Sequence, residues 1–298
     1  MIFSPGKLLL TSEYVVMDGA LALALPTRWG QEFSARPVPD GKSQVLWQAN
    51  HEGKQWLKAT IDYKNEIVLS ANNPEAARFV VRLLHYIKQH SALRLQQGDS
   101  YEIVTNLQFP ANYGLGSSST LMCNLAQWAA VDAFELNENC LGGSGYDVAV
   151  ARHKTPILYR AKPDRTVSEI KFAPAYKDQL IFIHLNQKQD SRAGISLYRQ
   201  RKKSSHDIDA FSEITKEVLK ASDLQAFSDL MTAHEQRLSA LIGLQTVKEK
   251  LFPDCPTFVK SLGAWGGDFV MSARFPCYRE YFNQKSFPTV FSYTELIS

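Results

Sequence analysis

Hydrophobic and polar positions divide the chain into a strand-rich opening and a helix-rich second half. Leu8 to Val16 and Ala20 to Leu25 are apolar runs separated by Asp18-Gly19, and they predict two strands joined by a turn. Asp40-Gly41 predicts a later hairpin. Asn73-Pro74 opens the clearest helix, with Asn as N-cap, Pro at the first helical position, and Ala77, Val80, Val81, Leu84 and Ile87 on one face ending near Ser91. Tyr101 to Leu107 alternates as a strand does, and Leu121 to Phe134 carries a helical pattern. Pro156 to Tyr159, Leu180 to Leu185 and Phe269 to Ala273 read as strands; Ser191 to Arg201, Asp209 to Ala221 and Leu224 to Leu241 read as helices. The polar, Pro-containing stretch 161–178 is the expected boundary, which gives domains of 1–175 and 176–298.

Composition narrows the class. At 298 residues, 45% apolar and 21% charged, the chain can bury a full core, and its net charge of +3 is small for its length. The one basic run, Arg199 to Lys203, reads as a solvated helix end, so no nucleic-acid partner is expected. Apolar stretches such as Ala20 to Leu25 are far shorter than the roughly 20 residues that cross a bilayer, so no membrane partner is expected. The opening Met-Ile-Phe-Ser-Pro-Gly-Lys lacks a secretory apolar core, and the four cysteines form no CxxC pair. A cytoplasmic protein with reduced thiols is the expectation. A homodimer stays open, because an apolar helix face turned inward and one turned to a partner read alike.

Four short segments, three of them glycine-rich, carry the candidate chemistry. A nucleotide phosphate needs several backbone N–H groups pointing into one concavity, which Cβ-poor backbone ahead of a helix supplies. Gly114-Leu-Gly-Ser-Ser-Ser-Thr120 meets that need, although the chain contains no GxxxxGK[ST] and no dinucleotide fingerprint. Ser4-Pro-Gly-Lys7 places a lysine after a tight turn, with Glu13-Tyr14 following. Ser144-Gly-Tyr-Asp147 places a carboxylate after glycines, and Gly263-Ala-Trp-Gly-Gly-Asp268 forms the last cluster. Each alone has a plain structural reading as a turn or helix cap.

Together and in this order, the segments resemble the GHMP kinase superfamily, named for galactokinase, homoserine kinase, mevalonate kinase and phosphomevalonate kinase. The first motif is similar to Ser4 through Val16, the phosphate loop to Pro110 through Ser119, and the third motif to Gly263 through Asp268. Ser144 to Asp147 resembles the catalytic aspartate element of mevalonate and phosphomevalonate kinases. Gly143-Ser-Gly-Tyr-Asp-Val-Ala149 also resembles a bacterial subgroup named for its Gly-Tyr-Asp-Ile-Ala signature.

The resemblance implies an α+β, two-domain fold, with an N-terminal domain like domain 2 of ribosomal protein S5 and a ferredoxin-like C-terminal domain. It implies an ATP- and Mg²⁺-dependent kinase that phosphorylates a small molecule of the mevalonate or phosphomevalonate type. In this reading Gly114, Leu115, Gly116, Ser117, Ser118 and Ser119 cradle ATP, and Ser118 also meets Mg²⁺. Asp147 is the general base and Lys7 its cationic neighbour. Glu13, Ser191, Arg192, Gly266 and Gly267 belong to the substrate side. The family's metal-binding glutamate falls at Leu136, which leaves Glu138, Glu135 or neither as a Mg²⁺ ligand. Trp265 and Ser12 stand where the family has small residues, and packing beneath the loop is the expected use of the indole. Two alternatives remain: a catalytically degenerate nucleotide-binding sensor on the same scaffold, and a diphosphomevalonate decarboxylase.

Overall fold

The structure, a computed structural model, describes residues 1–96, 98–186 and 191–298, excluding the side chains of residues 191–193. In chain order the elements are β1 (Ile2–Leu9), β2 (Ala22–Val38), β3 (Gln44–His51), β4 (Lys54–Asp62), β5 (Ile67–Ala71), α1 (Pro74–His90), β6 (Ser100–Leu107), α2 (Ser117–Ala129), α3 (Ala133–Cys140), α4 (Tyr146–His153), β7 (Ile157–Arg160), β8 (Thr166–Glu169) and β9 (Leu180–His184). There follow α5 (Ser191–Gln200), α6 (Ser205–Lys220), α7 (Leu224–Ile242), α8 (Val247–Leu251), β10 (Val259–Leu262), β11 (Phe269–Ala273), α9 (Tyr278–Gln284), β12 (Val290–Ser292) and α10 (Tyr293–Leu296). The architecture is α+β, and the chain divides into two compact units. Among the described residues no helix is long and apolar enough to cross a membrane.

The first unit comprises residues 1–6, 29–111 and 115–154. Its strands run in the order β5-β4-β3-β6-β2, antiparallel except for the parallel pair β3–β6. Alternation puts Val45, Trp47 and Ala49 of β3 and Leu57, Ala59 and Ile61 of β4 on the buried face. Helix α1 adds Ala77, Val80, Leu83, Leu84 and Ile87 to that core. The Asn73 side chain accepts the Ala76 N–H, Pro74 occupies the first turn, and the Ser91 N–H returns to Ile87 O.

The second unit comprises residues 7–28, 112–114 and 155–298. Its antiparallel sheet has the order β10-β11-β9-β12, and every residue of β9 is buried. A continuous apolar run is what a strand covered on both faces requires. The long α7 packs on β10 and on α6. It starts at Asp223, whose side chain accepts the Ala226 N–H, and stops at the left-handed Gly243. The first residues of β2 pair with β7, and β7 pairs with β8, a strand that lies within the stretch 161–178.

Several sequence expectations change. The predicted strand Leu8 to Val16 ends at Leu9, because Ser12 and Tyr14 take positive φ angles and residues 15–18 form a short 3₁₀ turn. The turn at Asp40-Gly41 links β2 to β3, but β6 pairs with both strands, so they make no hairpin. The predicted helix Leu121 to Phe134 starts earlier, at Ser117, and is two helices: Ala130 at φ +55° ends α2, and the Asp132 side chain caps α3 by accepting the Phe134 and Glu135 N–H groups.

Candidate active site

The phosphate-loop candidate lies between β6 and α2. Gly114 and Gly116 have φ +67° and +86°, a region that L side chains rarely adopt. No side chain caps α2, and Thr120 N–H is the amide that returns to Gly116 O at 3.0 Å. Helix geometry therefore leaves the N–H groups of Ser117, Ser118 and Ser119 without intrahelical acceptors, at the positive end of the helix dipole. The helix is anchored from beneath: Thr120 Oγ1 donates to Gln31 Oε1 at 2.8 Å, and Asn124 Nδ2 donates to Gln31 O at 2.9 Å. Leu115 is fully buried. The Ser119 hydroxyl is buried and donates to Gly116 O at 2.8 Å, so its side chain closes the turn. Ser118 is exposed and Ser117 half-buried.

Beside this helix start, within the first unit, is a pocket of about 320 Å³. Trp47, Trp56 and Leu57 of β3 and β4, Leu107 of β6, Phe79 and Val80 of α1, and Ser117, Ser118 and Leu121 of α2 line it. Flat aromatic and aliphatic walls next to a row of amides suit a ligand with an apolar ring at one end and an anion at the other.

Asp147 sits in the first turn of α4, which follows the left-handed Gly145. It is half-buried, and Val148 N–H donates to its Oδ1 at 3.1 Å. Helix α4 packs on α2, where the Cys123 thiol donates to Val148 O at 3.3 Å; burial first, and then the Asp147 charge, push that thiol up to about 12. Glu138 is exposed on α3, and Glu135 accepts the Tyr86 hydroxyl at 3.3 Å.

In the second unit, Lys7 is buried at the end of β1 and its Nζ donates to Gly114 O at 2.9 Å. Glu13 departs from the expectation of a substrate contact. It is 1% exposed, and its Oε1 accepts from Lys260 Nζ at 2.6 Å. Lys260, fully buried on β10, also lies 3.6 Å from Glu235 Oε2 on α7, while Glu235 accepts the Ser261 hydroxyl and N–H. His234 completes the group: its Nε2 accepts the Ser12 N–H at 2.7 Å and lies 3.5 Å from Glu13 Oε2. Burial pushes Glu13 up to about 7 against the opposing pull of Lys260, raises Glu235, and holds His234 well below the usual imidazole range. Such a carboxylate is an interior anchor for the first motif rather than a group offered to a ligand.

The third cluster is closed by packing. Trp265 is buried with Tyr14, Tyr198 and Phe211, its N–H donates to the Tyr14 hydroxyl at 2.7 Å, and its indole N–H donates to Gln245 O. The expectation that the indole packs beneath the loop agrees with this arrangement. Gly266 has φ +75°, and Gly267 is buried with its N–H on Ala264 O. Ser191 and Arg192 open α5, but their side chains lie outside the described residues.

No protein-family model and no curated protein sequence matches the chain. Solved structures do. Mevalonate kinase from Methanococcus jannaschii superposes with a TM-score of 0.70 at 15% identity, covering 97% of this chain and 96% of that one. Phosphomevalonate kinase from Streptococcus pneumoniae, in complex with phosphomevalonate and AMPPNP, gives 0.70 at 15% identity, covering 98% and 99%. Galactokinase from Lactococcus lactis, complexed with galactose, gives 0.67 at 14% identity, covering 97% and 92%. The chain has the GHMP kinase fold.

Within the GHMP kinase fold, the loop Gly114 to Thr120 and the Ser144 to Asp147 element both open helices, as their glycines require. Sequence reasoning missed the buried trio His234, Glu235 and Lys260. A lysine in the strand Val-Lys-Ser-Leu and a His-Glu pair in a helix carry no local mark of burial: the partners of Lys260 and His234, Glu13 and Ser12, are more than 200 residues away, and Glu235 meets Ser261 26 positions on. It also missed the pocket walls Trp47, Trp56 and Phe79, which come together only through β-pairing and the packing of α1.

Proposed function

We propose that the protein is an ATP-dependent small-molecule kinase whose acceptor is of the mevalonate or phosphomevalonate type. The observation that carries this reading is the uncapped, glycine-led start of α2 beside an aromatic pocket of about 320 Å³. The amides of Ser117 to Ser119 bind the phosphates, and the walls formed by Trp47, Trp56 and Phe79 receive the base. Support for the donor comes from the AMPPNP complex of the pneumococcal phosphomevalonate kinase, and its phosphomevalonate motivates the acceptor class. Galactose in the lactococcal galactokinase keeps a sugar in the comparison.

Phosphoryl transfer depends on positioning and charge neutralisation more than on covalent chemistry. In this proposal Asp147 takes the proton from the acceptor hydroxyl, or orients an acceptor phosphate, and Lys7 offsets charge on the transferring group. Mg²⁺ would neutralise the nucleotide phosphates, held by the exposed Ser118 hydroxyl and by Glu138 on α3. Among the described residues no group of three or more His, Cys, Asp or Glu side chains is set to hold a metal ion.

The test is ADP release from Mg·ATP with a panel of mevalonate, 5-phosphomevalonate, diphosphomevalonate, homoserine and galactose, with the product identified by mass. One phosphorylated product names the acceptor. Carbon dioxide release from diphosphomevalonate would replace the kinase by the decarboxylase, and saturable ATP binding without any product would replace it by the nucleotide-binding scaffold.

A further inference from the structure

Three groups of the second unit converge on residues 112–114, which lead into the phosphate loop. Lys7 Nζ donates to Gly114 O at 2.9 Å. The Tyr113 ring lies 4.3 Å from the His184 ring and 5.5 Å, edge-on, from Phe269. The third approach is steric: the Asp268 carboxylate occupies the space that a side chain on Gly114 would take, so a Cβ there would fall inside it. Gly114 is thus restricted twice, by its φ of +67° and by the carboxylate beside it.

Asp268 is itself built to stay in place. It is buried, its backbone is left-handed at φ +53°, and its C=O accepts the Leu185 N–H at 2.8 Å, which fixes it to the end of β9. A glycine would occupy that backbone with less strain, and Gly266 and Gly267 immediately precede it. The strained residue carries a carboxylate, and the carboxylate faces Gly114. We infer that Asp268 is a positioning residue for the phosphate loop: by filling the space against Gly114 it holds that residue left-handed and so sets the direction in which the following amides point. This inference rests on the nucleotide-binding reading of the loop.

Two measurements on the full chain test it: the Kd for Mg·ATP by calorimetry, and hydrogen exchange of the segment 110–121 in nucleotide-free protein. Asp268→Gly removes the side chain while tolerating the left-handed backbone. It should weaken ATP binding about tenfold or more, as misaimed binding groups do, and speed exchange in 110–121 without a comparable change elsewhere. Asp268→Asn, which keeps the shape, should restore both. Gly114→Ala should weaken ATP binding strongly in the wild type and much less in the Asp268→Gly background, where space has been made. Wild-type affinity and exchange in Asp268→Gly would overturn the inference, as would Asp268→Asn behaving like Asp268→Gly or an equal cost of Gly114→Ala in both backgrounds. Failure of the wild type to bind ATP would sink the kinase reading instead, and the exchange of 110–121 would then decide the role of Asp268 by itself.

Discussion

Lys260 Nζ lies 2.6 Å from Glu13 Oε1, with both side chains almost wholly removed from solvent. The pair ties the first motif to β10, and Glu235 draws α7 into the same contact. Above about pH 7, where Glu13 is ionised, removing the shared cation leaves a buried carboxylate uncompensated. Lys260→Met should therefore lower the unfolding free energy by about 3–5 kcal/mol, the usual cost of breaking a buried pair from one side. Urea denaturation checks this, and a loss below about 1 kcal/mol would mean that water reaches the site.

Glu13 makes the stability depend on pH in a definite direction. Its folded value, about 7, lies above the ordinary 4.5, so the folded state holds the proton more tightly than the unfolded chain does. Its contribution is fully present below pH 4.5 and is lost as pH rises through about 7. His234 acts oppositely, because its lowered value favours folding above the ordinary imidazole range and the benefit fades as pH falls. The comparison of wild type with Glu13→Gln isolates the carboxylate: between pH 4.5 and 7 the wild type should lose stability relative to the variant. A constant difference across that range would show that Glu13 titrates normally.

Asp147→Asn should nearly abolish phosphoryl transfer while leaving the ATP Kd within a few-fold, since the proposed base acts on the acceptor. Single-turnover kinetics with the acceptor found in the panel provide the measurement. A wild-type kcat would remove Asp147 from the chemistry. Lys7→Ala should reduce kcat by about 10²-fold, as loss of one charge-stabilising donor does, and an unchanged rate would confine Lys7 to its bond with Gly114 O.

Trp56, 47% exposed and lining the pocket, offers a direct report on the nucleotide base. Its fluorescence should change on titration with ATP but not with inorganic triphosphate. Trp56→Ala should weaken ATP binding by about 1–3 kcal/mol if the base stacks there. Equal responses to ATP and triphosphate would place the base elsewhere.

Much of the site was legible locally. Gly114 and Gly116 announced a backbone that needs left-handed angles, and Asn73-Pro74 announced α1, because caps and tight turns are written in a few adjacent residues. The strand predicted over Leu8 to Val16 missed its end for a local reason too: Ser12 and Tyr14 are not residues that advertise positive φ.

What the sequence determined by itself was the set of short-range features: helix starts, glycine turns, alternating strands, and a motif order that resembles one kinase family. Tertiary structure alone decided which charges are buried and which surfaces form walls. Glu13 reads as a polar residue in a motif until Lys260, 247 positions later, encloses it. Gly114 reads as one flexible glycine until Asp268 fills its vacant side. Burial, desolvation and steric exclusion depend on partners far away along the chain, and no local pattern records them.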